Sequence, residues 1–180
     1  IRYQPGHGSE FSGTCVFTAG VANSTQVFGP GDDDEGFYFG YNGTAFGVLR
    51  RSAGSLEIKQ ITITGVADAG GGDFTITLDG VAVTITVGAA ATISAIVAAI
   101  VAASSDFLNA GRGWEVHTPD NLTVHFISLV AENAAGSFSF ADVDSGVTAS
   151  AFSEVVAGVA PTETWVAQTA WNIDVMDGTG

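Results

Sequence analysis

Basic side chains are what this sequence has least of: 5 Lys and Arg stand against 19 Asp and Glu, a formal net charge of −14. Nucleic-acid affinity rests on Lys and Arg neutralising phosphates, so that charge balance argues against a phosphate-binding surface. Docking on an anionic membrane is disfavoured on the same ground. A single cysteine, Cys15, excludes an internal disulfide, and stability must come from core packing. Long apolar runs are missing too. The longest, Ala89 to Ala103, is broken by Thr92 and Ser94 and is shorter than the roughly 20 residues of a membrane-spanning helix. No G-x-S-x-G, H-E-x-x-H, Walker loop or dinucleotide fingerprint occurs, and Gly70-Gly71-Gly72 precedes a strand without forming a phosphate cradle. Catalytic residues and organic cofactors are therefore assigned to none.

What is present is apolar. Hydrophobic residues make up 46% and charged residues only 13%, which separates this chain from disordered polyanions. Asn42-Gly43 stands between Phe37–Tyr41 and Thr44–Leu49, a strong short hairpin signal. A two-residue loop there pairs Tyr41 with Thr44, Phe39 with Phe46 and Phe37 with Val48. The opposite face carries Tyr38, Gly40, Ala45, Gly47 and Leu49, and its glycines predict close backbone approach. A strand over Gly13–Thr18 is expected to precede the hairpin.

Asp79-Gly80 marks a second hairpin, pairing Leu78 with Val81, Ile76 with Val83 and Phe74 with Ile85. Its apolar face needs a cover. Ile93, Ile96, Val97, Ile100 and Val101 fall at helical spacing and supply one, with Thr92 as N-cap and Ser104-Ser105 as the stop. Strands are expected over Trp114–Thr118, Leu122–Val130, Ser137–Phe140 and Ala149–Val155, and again over Trp165–Trp171 with both tryptophans on one face. The fold class is mainly β with an inserted α+β module. Residues 1–57 and 161–180 are expected to form a discontinuous, antiparallel, β-sandwich-like outer domain, incomplete without further chain. Residues 58–160 are expected to form a ββαβββ lobe.

Tyr3-Gln4-Pro5-Gly6, the aromatic run Gly31–Ser52 and the segment Val166–Gly180, of pattern V-x-Q-x-x-W-N-x-D-x-x-D-G-T-G, resemble a family of structural proteins of phages and large DNA viruses. The inserted segment looks like small modules of phage tail-sheath and flagellin-type surface assemblies. The resemblance implies a tail, fibre, tubule or capsid-associated role, a virion or extracellular location, and further strands past Gly180. Position one is Ile1 and not Met, which is read as processing from a longer precursor. Expected partners are copies of the chain itself in a homo-multimer or helical polymer, and the remainder of that precursor. Neither nucleic acid nor membrane insertion is expected. The alternatives are a host-surface glycan-binding module and a secreted bacterial surface-layer or filament subunit.

Candidate sites are few. Asp32-Asp33-Asp34-Glu35 supplies oxygens of the kind Ca²⁺ binds, without EF-hand spacing, and Asp142-Val143-Asp144-Ser145-Gly146 is a weaker version; solvated loops are the commoner use of both. His117 and His125 flank a turn at Asp120-Asn121. A two-residue loop pairs Val116 with His125 and separates the rings, whereas an odd-length loop pairs His117 with His125, and no third ligand is evident. His7 lies in a Gly-rich segment. Cys15 is read as a small buried hydrophobe in a strand. Three N-x-S/T sequons make Asn23, Asn42 and Asn121 glycosylation candidates.

Overall fold

The structure, a computed structural model, describes residues 12–32 and 35–171. Its strands are β1 Thr25–Phe28, β2 Gly36–Asn42, β3 Ala45–Ser52, β4 Ile58–Thr62, β5 Gly72–Leu78 and β6 Val81–Val87. Helices α1 Ile93–Ala102 and α2 Ser104–Leu108 follow, then β7 Trp114–His117, β8 Thr123–Ser128, β9 Ser139–Asp142, β10 Ser153–Val156 and β11 Thr162–Ala167. All three sheets are antiparallel, and the fold is mainly β and sandwich-like with a small helical component. The chain divides into two compact units, one from the residues up to Ala53 and those from Pro161 on, the other Gly54–Ala160. An isolated bridge between Ser55 and Val159 holds residues before β4 in the second unit.

The first unit contains a four-stranded sheet in the order β1-β2-β3-β11. Its β2–β3 register differs from the one the Asn-Gly pair predicts. Asn42 pairs with Ala45, Tyr41 with Phe46, Phe39 with Val48 and Phe37 with Arg50. The two central turn residues are Gly43 and Thr44, and only Gly43 has positive φ, +61°. That is the type II′ pattern, with glycine first, so Asn42 stays in the strand. The glycine-bearing face is the buried one. Tyr38 and Leu49 are 8% and 4% exposed, while Phe37 and Phe39 are 57% and 48% exposed. A Cβ on Gly40 would sit 1.8 Å from the Gln26 carbonyl, and one on Gly47 would sit 2.3 Å from the Val166 carbonyl. The close backbone approach comes from the flanking strands themselves.

Two expected elements of this unit are corrected. Residues 13–18 form no strand; pairing with β2 falls to Thr25–Phe28, and Thr18 donates its N–H and hydroxyl to the Gln26 side-chain oxygen of β1, at 3.1 and 2.9 Å. The alternating run Trp165–Trp171 is also cut short. β11 ends at Ala167, and a 3₁₀ turn over Gln168–Ala170 breaks the alternation before Trp171.

The second unit has sheets β10-β4-β8-β7 and β6-β5-β9 around one core. Asp79 and Gly80 both take positive φ, 51° and 82°, the geometry a type I′ turn demands. β5 and β6 pair accordingly, Leu78 with Val81 and Phe74 with Ile85. Their apolar faces meet Ile96, Val97 and Ile100 of α1. Thr92 caps α1 by accepting from the Ala95 N–H at 3.3 Å. Ser104-Ser105 does not end the helical segment but opens α2, whose Phe107 is fully buried and packs on Phe126. The lobe runs βββααββββ, so it carries two strands, β4 among them, and one helix beyond a ββαβββ order.

Candidate functional site

The inner face of the β10-β4-β8-β7 sheet holds the most deeply buried charge. Glu57 is fully buried, and its carboxylate accepts from the Ala134 N–H at 2.9 Å and lies 2.8 Å from Lys59 Nζ. Lys59 donates to Glu154 on the neighbouring strand at 2.8 Å and stands 5.0 Å over the Phe138 ring. Burial opposes the charge on Lys59, but its contacts with Glu154 and Glu57 outweigh that and raise its pKa. Glu57 and Lys59 share a face because they are two apart in an extended chain. Sequence reading alone misses the cluster, whose one trace is this i, i+2 spacing of opposite charges. Arg112 is similarly held, donating to Asp79 at 3.1 Å and to the Glu132 carbonyl at 2.9 Å.

The outer face of the same sheet brings the two histidines together. His117 pairs directly with His125, and His125 with Gln60. The imidazole centroids are 6.4 Å apart, and His125 Nε2 lies 3.1 Å from Gln60 Oε1. The turn that sets this register is tied by Asp120, whose carboxylate accepts from the Leu122 and Thr123 N–H groups at 2.7 and 2.6 Å. Those bonds hold the Asp120 carboxyl below its ordinary pKa.

The acidic candidates are satisfied locally. Asp32 Oδ1 accepts from the Glu35 N–H at 2.8 Å, and the Asp32 carbonyl accepts from the Tyr38 hydroxyl at 2.5 Å. Asp33 and Asp34 lie outside the described residues, as do His7, the segment 3–6 and residues 172–180 of the terminal motif. Asp142 accepts from the Ser145 N–H and hydroxyl at 3.0 and 2.6 Å, which lowers its pKa, while Asp144 accepts from the Asp73 N–H at 2.6 Å. Among the described residues no group of three or more His, Cys, Asp or Glu is arranged to hold a metal. Cys15 is exposed in the unpaired segment, not buried in a strand. Of the sequon residues, Asn23 and Asn121 lie in exposed turns, whereas Asn42 is exposed at the end of β2, outside the central turn pair.

The remaining surface of note is the outer face of the first unit's sheet. Register places Phe28, Phe39, Val48 and Val166 in one row across all four strands. Beside the row, two residues along the strands, Phe17 packs edge-on against the paired Tyr41 and Phe46, both at 6.1 Å. On the row's other side the paired Phe37 and Arg50 line an open cleft of about 330 Å³ with Glu35, Gly36, Arg51 and Ser52. Arg51 is committed to Glu163 and lies 5.6 Å over the Tyr38 ring. No family model, curated protein or solved structure matches this chain. Among the described residues no helix is long and apolar enough to cross a membrane.

Proposed function

We propose that the chain is a non-enzymatic structural subunit of a viral or virus-like extracellular assembly, a tail, fibre, tubule or capsid-surface component that packs against copies of itself. The observation that carries this reading is the apolar row Phe39–Val48–Val166, with Phe39 and Val166 48% and 42% exposed, on a sheet whose order among the described residues ends at β1 and β11. Apolar rows across a whole sheet are covered in folded proteins, and open strand edges accept further strands. The sequence resemblance to virion structural proteins supplies the biological setting. A net charge of −14 opposes close packing of copies, so association should strengthen as salt screens it.

Sedimentation velocity across a sodium chloride series, followed by electron microscopy of the heaviest species, tests this. The expected result is association that grows with ionic strength and is abolished by Phe39→Ser. A compact monomer at every salt concentration would defeat the reading.

A further inference from the structure

We propose that His117, His125 and Gln60 form a surface site for a late divalent transition metal, with Cu²⁺ bound most tightly and Ni²⁺ and Zn²⁺ less so. The three residues occupy one cross-strand row on β7, β8 and β4, so the backbone ladder itself sets their spacing. Metal–nitrogen bonds of about 2.0–2.1 Å put two ligating imidazoles roughly 5 to 6.5 Å apart between centroids, depending on the N–metal–N angle. The observed 6.4 Å is the near-linear end of that span, the trans placement of two ligands on a tetragonal ion such as Cu²⁺. The 3.1 Å between His125 Nε2 and Gln60 Oε1 is also the spacing of two neighbouring ligands on one ion, at an angle of about 95° for bonds of that length. A metal bound there would take the place of the hydrogen of this contact.

The site is open to solvent on the His117 side, which leaves coordination positions for water. Imidazole nitrogens with a single oxygen donor favour Cu²⁺, Ni²⁺ and Zn²⁺ over Ca²⁺ or Mg²⁺, with Cu²⁺ first in the usual order of affinities. The chain's net charge of −14 raises the local cation concentration around it. Bound metal would cross-brace three adjacent strands of the sheet. It would also stabilise the folded state by mass action, because the unfolded chain does not hold the row together.

Calorimetric titration of the 180-residue chain with CuCl₂ and ZnCl₂, in a His7→Ala, Cys15→Ser background that removes competing ligands, is the test. One metal per chain is expected. His117→Ala or His125→Ala should each weaken binding by at least roughly tenfold, and Gln60→Glu, which substitutes a charged oxygen for the amide, should tighten it by a similar factor. A chain that takes up no metal, or whose affinity is unmoved by either histidine change, overturns the site. A Gln60→Glu chain that binds no tighter overturns the three-donor geometry. Proton NMR of the unsubstituted imidazoles with Zn²⁺ gives an answer independent of variant folding: both ring signals must shift together at one equivalent.

Discussion

Lys59 shows how much one residue can decide in a chain with few cations. Its ammonium is the counter-charge of the fully buried Glu57, and the pair also binds the exposed Glu154. Removing one partner of a buried pair costs far more than the pair contributes, because the other charge stays buried alone. Lys59→Met should therefore destabilise the second unit by about 3 kcal/mol at neutral pH, measured by urea unfolding. Glu57→Gln should cost less, since the Ala134 N–H keeps an acceptor. The pH dependence has a definite sign. The pKa of Lys59 is raised in the fold above its ordinary 10.5, so the contribution is complete below that value and is lost as pH rises through the folded pKa. The stability gap between the native chain and Lys59→Met should narrow only in that alkaline window. A gap that is absent at pH 7, or unchanged at alkaline pH, would contradict the assignment.

At the scale of elements, the parts of the fold legible in the sequence are those where turn chemistry and burial agree. Asp79-Gly80 fixes the β5–β6 register because both residues need positive φ and both flanks alternate cleanly. α1 was readable from its stripe, since Ile96, Val97 and Ile100 are the residues it buries. β4 was not readable. Its inner face carries Lys59, preceded by the buried Glu57, where an alternating strand shows apolar residues, and only a tertiary ion pair makes that tolerable. The β2–β3 turn was misread for another reason: the glycine of Asn42-Gly43 serves a type II′ turn as well as type I′, and the choice shifts the pairing. For the histidines, turn length decides which residues face each other, and the sequence left that length open. Glycine placement gives a prediction at this scale. Gly40→Ala meets the Gln26 carbonyl head-on and should detach β1, read as accelerated hydrogen exchange over 25–28 and 39–42. Gly80→Ala has open space around its Cβ and strains only a φ of 82°, so about 1 kcal/mol is expected. Equal effects at the two positions would mean that the close approach at Gly40 is not what holds β1.

At the scale of the molecule, the two units differ in what stabilises them. The buried apolar cluster that runs through Ile61, Phe74, Ile96, Phe107, Trp114 and Phe126 lies wholly within Gly54–Ala160. That span is about 100 residues, enough for an independent core. Its ends are already joined: the Ser55 N–H donates to the Val159 carbonyl and the Val159 N–H to the Ser55 carbonyl, both at 2.9 Å. Ser55 also donates its hydroxyl to Ala157, and Gly158 donates to the Asn133 side chain, so both ends are tied down locally. Excising this span should therefore leave its backbone pairing intact and cost only fraying at the cut ends. Expressed alone, residues 54–160 should unfold in a single cooperative transition and reproduce the amide spectrum of the same residues in the full chain. The apolar row of the first unit would be absent from that fragment, so it should also stay monomeric at salt concentrations where the full chain associates. A fragment with dispersed amide signals that still associates would move the contact surface into the second unit. One that collapses without cooperative melting would show that the core needs the outer strands.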